Sequence, residues 1–121
     1  MTRNKDVESF LPMTPAMFHV LIALADGEKH GYAILKEVAR RTEDQVRLSA
    51  GTLYGNLARL ESAGLIVESH ERPAIGLDDE RRRYYRLTDF GREVAIAEAE
   101  RMDAALSQAR AKKLFRKPKM A

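Results

Sequence analysis

Cysteine is absent from this chain of 121 residues. That excludes a disulfide framework, a cysteine-based zinc site and a thiol redox switch, so any sensing must use other chemistry. No apolar run approaches the roughly 18 to 20 residues of a membrane span, and no membrane partner is expected. The opening MTRNKDVESF has no apolar signal-peptide core, which makes a cytoplasmic location the expectation. The three histidines, His19, His30 and His70, have no metal-ligand spacing. The carboxylates Asp78, Asp79 and Glu80 fall in a loop with no histidine beside them, as a solvated loop would. Neither a phosphate-cradling glycine motif nor a nucleophile and base set by context is found. We therefore expect no enzyme, no metal and no cofactor. His30 is read as a helix-start residue rather than a base.

With 45% apolar and 32% charged residues, the composition suits one soluble domain with a modest core. Its net charge of +3 conceals an asymmetry. Residues 110–121 carry Arg110, Lys112, Lys113, Arg116, Lys117 and Lys119 with no acid, leaving 15 basic against 18 acidic residues elsewhere. Such a tail is a frayed, solvated end or a nonspecific grip on phosphate. Within the body, Arg81, Arg82 and Arg83 form the main basic cluster.

The segment SAGTLYGNLARLESAGLI, Ser49 to Ile66, carries the strongest pattern. Ser49 suits an N-cap, and Leu53, Leu57 and Leu60 at i, i+4 and i+7 define a buried stripe ended by Gly64. At 100° per residue, Gly51, Thr52, Gly55, Ala58, Arg59 and Ser62 lie opposite, with Tyr54 and Asn56 on the flanks. A small polar face of this kind can sink into a wide groove and offer donors to bases and phosphates. Gly55 costs a mid-helix position roughly 1 kcal/mol against alanine, which close approach to a partner would explain.

Thr14 and Pro15 open an earlier helix with Met17, Val20, Leu21 and Leu24 on its buried stripe, before Asp26-Gly27 stops it. Phe18 and Ile22 make that helix apolar nearly all round, so a second surface must cover it. A second helix from about Gly31 to Arg41 buries Ile34, Leu35 and Val38. A loop near Thr42 to Leu48 completes a helix-turn-helix with a long turn. Leu65 to Arg72 and Arg81 to Leu87 read as strands of a wing, joined by a loop with Pro73, Gly76 and Asp78-Asp79. Alternation from a buried Leu87 puts Tyr85 and Arg83 on one face and Tyr84, Arg86 and Arg82 on the other. Thr88 caps a last helix reaching about Lys113. Phe90 and Val94 pack back, while Ala95, Ala99, Met102, Leu106 and Ala109 step by 4, 3, 4 and 3 as a heptad seam.

Three stretches, HGYAILKEV (His30 to Val38), GTLYGNLARLESAGLI (Gly51 to Ile66) and RRYYRLTDFGRE (Arg82 to Glu93), resemble in order and spacing the signatures of PadR-like transcriptional regulators. The resemblance covers about residues 11–95, with one departure at Gly55, where many relatives carry proline. It implies a mainly α fold with a small β-hairpin, a winged helix-turn-helix followed by a long C-terminal dimerisation helix. The expected division is an N-terminal segment 1–13, a DNA-binding domain 14–87, a dimerisation helix 88–113 and a basic, disordered tail 114–121.

The expected function is a dimeric regulator, a repressor, reading an inverted repeat in double-stranded DNA. Thr52, Tyr54, Asn56 and Arg59 are the expected contacts from the third helix, and Arg81, Arg82 and Arg83 from the wing. Gly31 and Tyr32 open the second helix, where an N-terminus favours a phosphate. Tyr32 suits packing equally well, Tyr54 has the same ambiguity with the resemblance favouring a DNA contact, and single wing arginines suit pairing with nearby acids. Phe10, Phe18, Ile22, Ala95, Ala99, Met102, Leu106 and Ala109 are the expected homodimer contacts, although the last helix could instead lie along its own domain. A small-molecule effector is placed at the dimer interface, with a ligand-independent regulator as the other option. The competing class is a protein-interaction module, which would expose large apolar residues on its third helix. A ligand-binding dimer without DNA binding also stays open.

Overall fold

A computed structural model describes residues 5–69 and 83–116. The helices begin where side-chain oxygens can satisfy free backbone N–H groups. After a four-residue helix α1 (Lys5–Glu8), helix α2 (Pro15–Ala23) starts at Thr14, whose hydroxyl accepts from the Met17 N–H, with Pro15 at the first turn. Helix α4 (Ala50–Ser62) starts at Ser49, which accepts from Thr52 N–H at 3.0 Å. Helix α5 (Asp89–Ala111) starts at Thr88, which accepts from Gly91 N–H at 2.9 Å. Helix α3 (Gly31–Arg41) uses His30 instead, its Nδ1 accepting from Ala33 N–H at 3.1 Å.

Three antiparallel strands, β1 (Lys29–His30), β2 (Ile66–Ser69) and β3 (Tyr84–Leu87), lie in the order β1-β3-β2. Ile66 faces Leu87 and Ser69 faces Tyr84, while on the other edge Lys29 faces Tyr85 and His30 faces Tyr84. The expected hairpin thus gains a third strand of only two residues. The expected wing loop with Pro73, Gly76 and Asp78-Asp79 lies outside the described residues, as do Arg81, Arg82 and residues 1–4 and 117–121. No helix of the described residues is long and apolar enough to cross a membrane.

The core is the meeting of α2, α3, α4 and the start of α5. Val20, Leu21, Ile34, Leu53, Leu57, Leu65, Ile66 and Val94 are almost wholly buried, joined by Val7 from α1. An ionic network lies at its edge. Glu37, buried on α3, accepts from Arg41 at 2.8 Å and faces the Lys29 ammonium at 3.5 Å. Lys29 also donates to the Ala23 carbonyl at 2.6 Å and to Asp26, tying the end of α2 to α3. That hydrogen bond to Lys29 holds the Asp26 carboxyl below its usual range. Burial pushes the Tyr85 hydroxyl up.

Two junctions fasten α5. The first is where α4 hands over to β2. Gly64 adopts φ 82°, the left-handed geometry that a C-terminal glycine supplies, and Leu65 N–H returns to the Leu60 carbonyl at 2.9 Å. Thr88 N–H donates to Leu65 O at 3.0 Å, and the Thr88 hydroxyl lies 2.6 Å from Gly64 O. Gly91 lies flat on this turn, so close that a Cβ there would fall inside the Leu65 carbonyl group. The second junction is Glu98, 1% exposed, which accepts from Met13 N–H at 2.8 Å and from Arg101. The Arg101 hydrogen bond, helped by Met13 N–H, outweighs burial and keeps the Glu98 carboxyl below its ordinary value of 4.5. Beside it, Phe10 meets Phe90 edge-on at 5.7 Å.

Gly91→Ala is expected to destabilise the protein by about 3 kcal/mol or more, since backbone rather than a flexible side chain must yield. Urea unfolding checks this, and a midpoint equal to the native one refutes it. For Glu98, a depressed folded pKa means stabilisation that is complete above the ordinary pKa and lost as pH falls through the folded one. Melting temperature should therefore fall more steeply below about pH 4.5 in the native protein than in Glu98→Gln, which holds no titrating group there.

Candidate nucleic-acid interface

Helix α4 turns Leu53, Leu57 and Leu60 inward and leaves Gly51, Thr52, Gly55, Ala58, Arg59 and Ser62 exposed. This is the face that helical periodicity selects. Thr52 has its backbone N–H and its hydroxyl bound to Ser49 and still faces solvent. The positions a Cβ would take on Gly51 and Gly55 are empty to 4 Å, so nothing within the chain requires glycine at either. Asn56 is corrected. It is 6% exposed, because α4 buries a wider arc than its leucine stripe and takes Asn56 in with Leu53 and Leu60. Its side chain is not offered to a groove.

Tyr54 and Gly31 form one packing unit. Tyr54 is half-buried, and its hydroxyl oxygen sits 2.7 Å from where a Gly31 Cβ would be. Gly31, itself buried, lets α4 close on the start of α3. Gly31 is expected at a phosphate and Tyr54 either at DNA or in packing, and the geometry of the pair here is packing. Tyr32 differs, being 57% exposed with the Lys36 ammonium 5.0 Å above its ring. An aromatic ring and a cation thus stand together on the first turns of α3.

Arg83, the residue before the central strand β3, is exposed and 3.7 Å from Glu68 of the neighbouring strand β2. Arg81 and Arg82 are outside the described residues. Among the expected dimer positions, Phe10, Phe18, Ile22, Ala95 and Ala109 are half-buried, whereas Ala99, Met102 and Leu106 are exposed, the last two at 41% and 43%. Beyond Glu98, the described residues of α5 are all exposed except Ala109. Ile96, Leu114 and Phe115 extend this apolar exposure and lie off the heptad spacing. An apolar cleft of about 210 Å³ separates Phe10, Met13 and Met17 from Leu60 and Ala63, with Arg59 also lining it. Among the described residues no cluster of His, Cys, Asp or Glu could hold a metal.

The sequence profile of the transcriptional regulator PadR-like family matches residues 20–97, which include α3, α4, all three strands and the first turns of α5. The chain belongs to the PadR-like family of transcriptional regulators. It is a regulator and not an enzyme, with the family's winged helix fold and long C-terminal helix. A transcriptional regulator of Mycobacterium tuberculosis is 42% identical over 83 residues, 69% of this chain and 70% of that one. An uncharacterized transposon protein of Streptomyces fradiae is 41% identical over 87 residues, but the match spans only 23% of its length. Among solved structures, a PadR family regulator of Clostridium difficile superposes with a TM-score of 0.66 at 23% identity, over 81% of this chain and 97% of that one. Bacillus subtilis PadR in complex with operator DNA gives 0.56 at 21% identity, over 91% and 52%. At these identities the two structures establish the fold.

Gly55→Ala is expected to raise stability by about 1 kcal/mol, because it removes a mid-helix glycine into open space. If the bare face exists for close approach, the same variant should bind DNA more weakly. Thermal melts paired with DNA titration check both signs, and a stabilised variant with native affinity would leave Gly55 without a role at the interface.

Proposed function

We propose that this regulator works as a homodimer that inserts two copies of α4 into successive major grooves of an inverted-repeat operator, and that it represses. The observation that carries the reading is the α4 face itself, which is uncovered, small and polar, with Arg59 and Thr52 as donors. A protein-docking helix would present large apolar side chains there, and this one presents none. The Bacillus subtilis neighbour, solved in complex with operator DNA, supports the same use of the fold. Tyr32 and Lys36 add phosphate-facing chemistry beside α4, and Arg81, Arg82 and Arg83 supply it from the wing.

Dimerisation uses the heptad seam of α5 together with α2 and the N-terminal segment. Support comes from the exposure of Met102 and Leu106 on a helix whose second half has little of its own chain to lie on. The seam is rich in alanine, so α5 alone would bury little area, and Phe10, Phe18 and Ile22 must add to it. A small molecule entering the cleft beside Phe10 and Met13 would bear on both the N-terminal segment and the end of α4, and so on the spacing of the two reading heads.

Titration against DNA upstream of the protein's own gene, with unrelated competitor and at several salt concentrations, tests the reading. Arg59→Ala should cost about 1–3 kcal/mol of specific binding, while alanine at Arg81, Arg82 and Arg83 together should weaken binding to every sequence and flatten its salt dependence. Affinities unchanged in both variants would remove these residues from the interface. Sedimentation of Met102→Glu should show monomer where the native chain sediments as dimer.

A further inference from the structure

The uncovered face of α5 has a polarity as well as an apolar seam. Its first half exposes Asp89, Glu93 and Glu100, besides the buried Glu98 that Arg101 pairs. The one cation before Arg101 is Arg92, whose guanidinium donates to the Ala25 carbonyl at 2.9 Å. From Ala104 to Arg116 the order reverses, with Arg110, Lys112, Lys113 and Arg116 and no acid. The helix's own dipole accounts for such charges only in the first and last turns, and Glu100 lies well inside them. The seam also has a near-symmetric order about Met102: Ala95 and Ala109 are equally distant from it, and Ala99 and Leu106 almost so. At the tip, Lys113 takes φ 63° and Leu114 N–H returns to the Ala109 carbonyl at 2.9 Å. This left-handed ending folds Leu114, 74% exposed, back toward the last seam residue and prolongs the apolar surface there.

We propose that this face is covered by α5 of a second copy running antiparallel, with Met102 at the two-fold axis. Ala95 then meets Ala109 of the partner subunit, and Ala99 meets Leu106 of the partner subunit. The proposal rests on the dimer reading above and goes beyond it in fixing direction and register. Antiparallel pairing lays the basic tip of each helix along the acidic root of the other, whereas parallel pairing would crowd the cations of both copies at one end. It also sets each leucine against an alanine, which keeps the helices evenly spaced. Parallel pairing would stack alanine on alanine at one end and leucine on leucine at the other, and splay them. At the antiparallel register each tip arrives level with Phe90 and Gly91 of the other copy. Gly91 lies on the Leu65 carbonyl, so the tip of one chain ends near the turn that closes the recognition helix of its partner.

The absence of native cysteine makes a clean test of direction. Ala95→Cys and Ala109→Cys, made separately in the full chain, should each stay unlinked on oxidation, because the register holds like positions about 21 Å apart along the axis at 1.5 Å per residue. The two variants mixed and re-equilibrated should give a disulfide-linked dimer. Self-linking of either variant alone, or no link in the mixture, would overturn the proposal while leaving the dimer intact. If either variant fails to fold, the native protein decides. Its dimer dissociation constant should rise about threefold or more between ~0.05 M and ~0.5 M salt, as opposite charges across the seam are screened. A constant that stays level or falls would overturn the proposal. A native chain that sediments as monomer at every concentration would instead strike down the dimer reading, and this proposal with it.

Discussion

The contact of α5 with the Leu65 carbonyl is the constraint on which the rest of the molecule depends. Gly91 has no side chain, Thr88 bonds back to the same turn, and Gly64 turns the chain so that those acceptors point the right way. Three elements therefore share one backbone junction: the end of the recognition helix, the start of the sheet and the root of the long helix. Each supports the others' geometry. The sheet takes its register from Ile66 facing Leu87 immediately beside this point, and the core residue Val94 is delivered one turn further along. The arrangement is backbone on backbone, which deforms far less readily than packed side chains.

A tension between stability and binding runs along α4. Its inner face is closely packed leucine, and its outer face has glycine twice where the chain itself has room for a side chain. Folding gains nothing from those glycines. Proteins tolerate such local inconsistency mainly where function requires it, which is why an energetic cost with no internal reason points outward. Gly31 is the opposite case, an internal necessity set by Tyr54.

Much of this was legible in the sequence, for reasons that can be named. Thr14, Ser49 and Thr88 are hydroxyl caps at the expected places, and leucine at i, i+4 and i+7 is unambiguous over 13 residues of helix. Strand β1 and helix α1 escaped because two and four residues are too short to carry a period. Asn56 misled because the periodicity set it on the flank of the helix, whereas the buried arc is wide enough to take in that flank. The link between Gly31 and Tyr54 and that between Lys29 and Glu37 depend on how α3 meets its neighbours, which no local pattern records. His30 was read as a helix start, and its contact with Tyr84 joins positions 54 residues apart that only the sheet brings together.

The length of α5 makes it a lever with a very unequal pair of arms. Its fulcrum is Gly91, within a few ångströms of the turn that ends the recognition helix, and its tip at Ala111 stands about 30 Å away at 1.5 Å per residue. A tilt of about 5° at the fulcrum sweeps the tip through roughly 2.6 Å on that arm. Run in reverse, the same ratio shrinks displacement: a shift of several ångströms at the far end reaches the recognition helix as a rotation of a few degrees. Geometry alone thus makes the helix a reduction gear between its tip and the recognition helix.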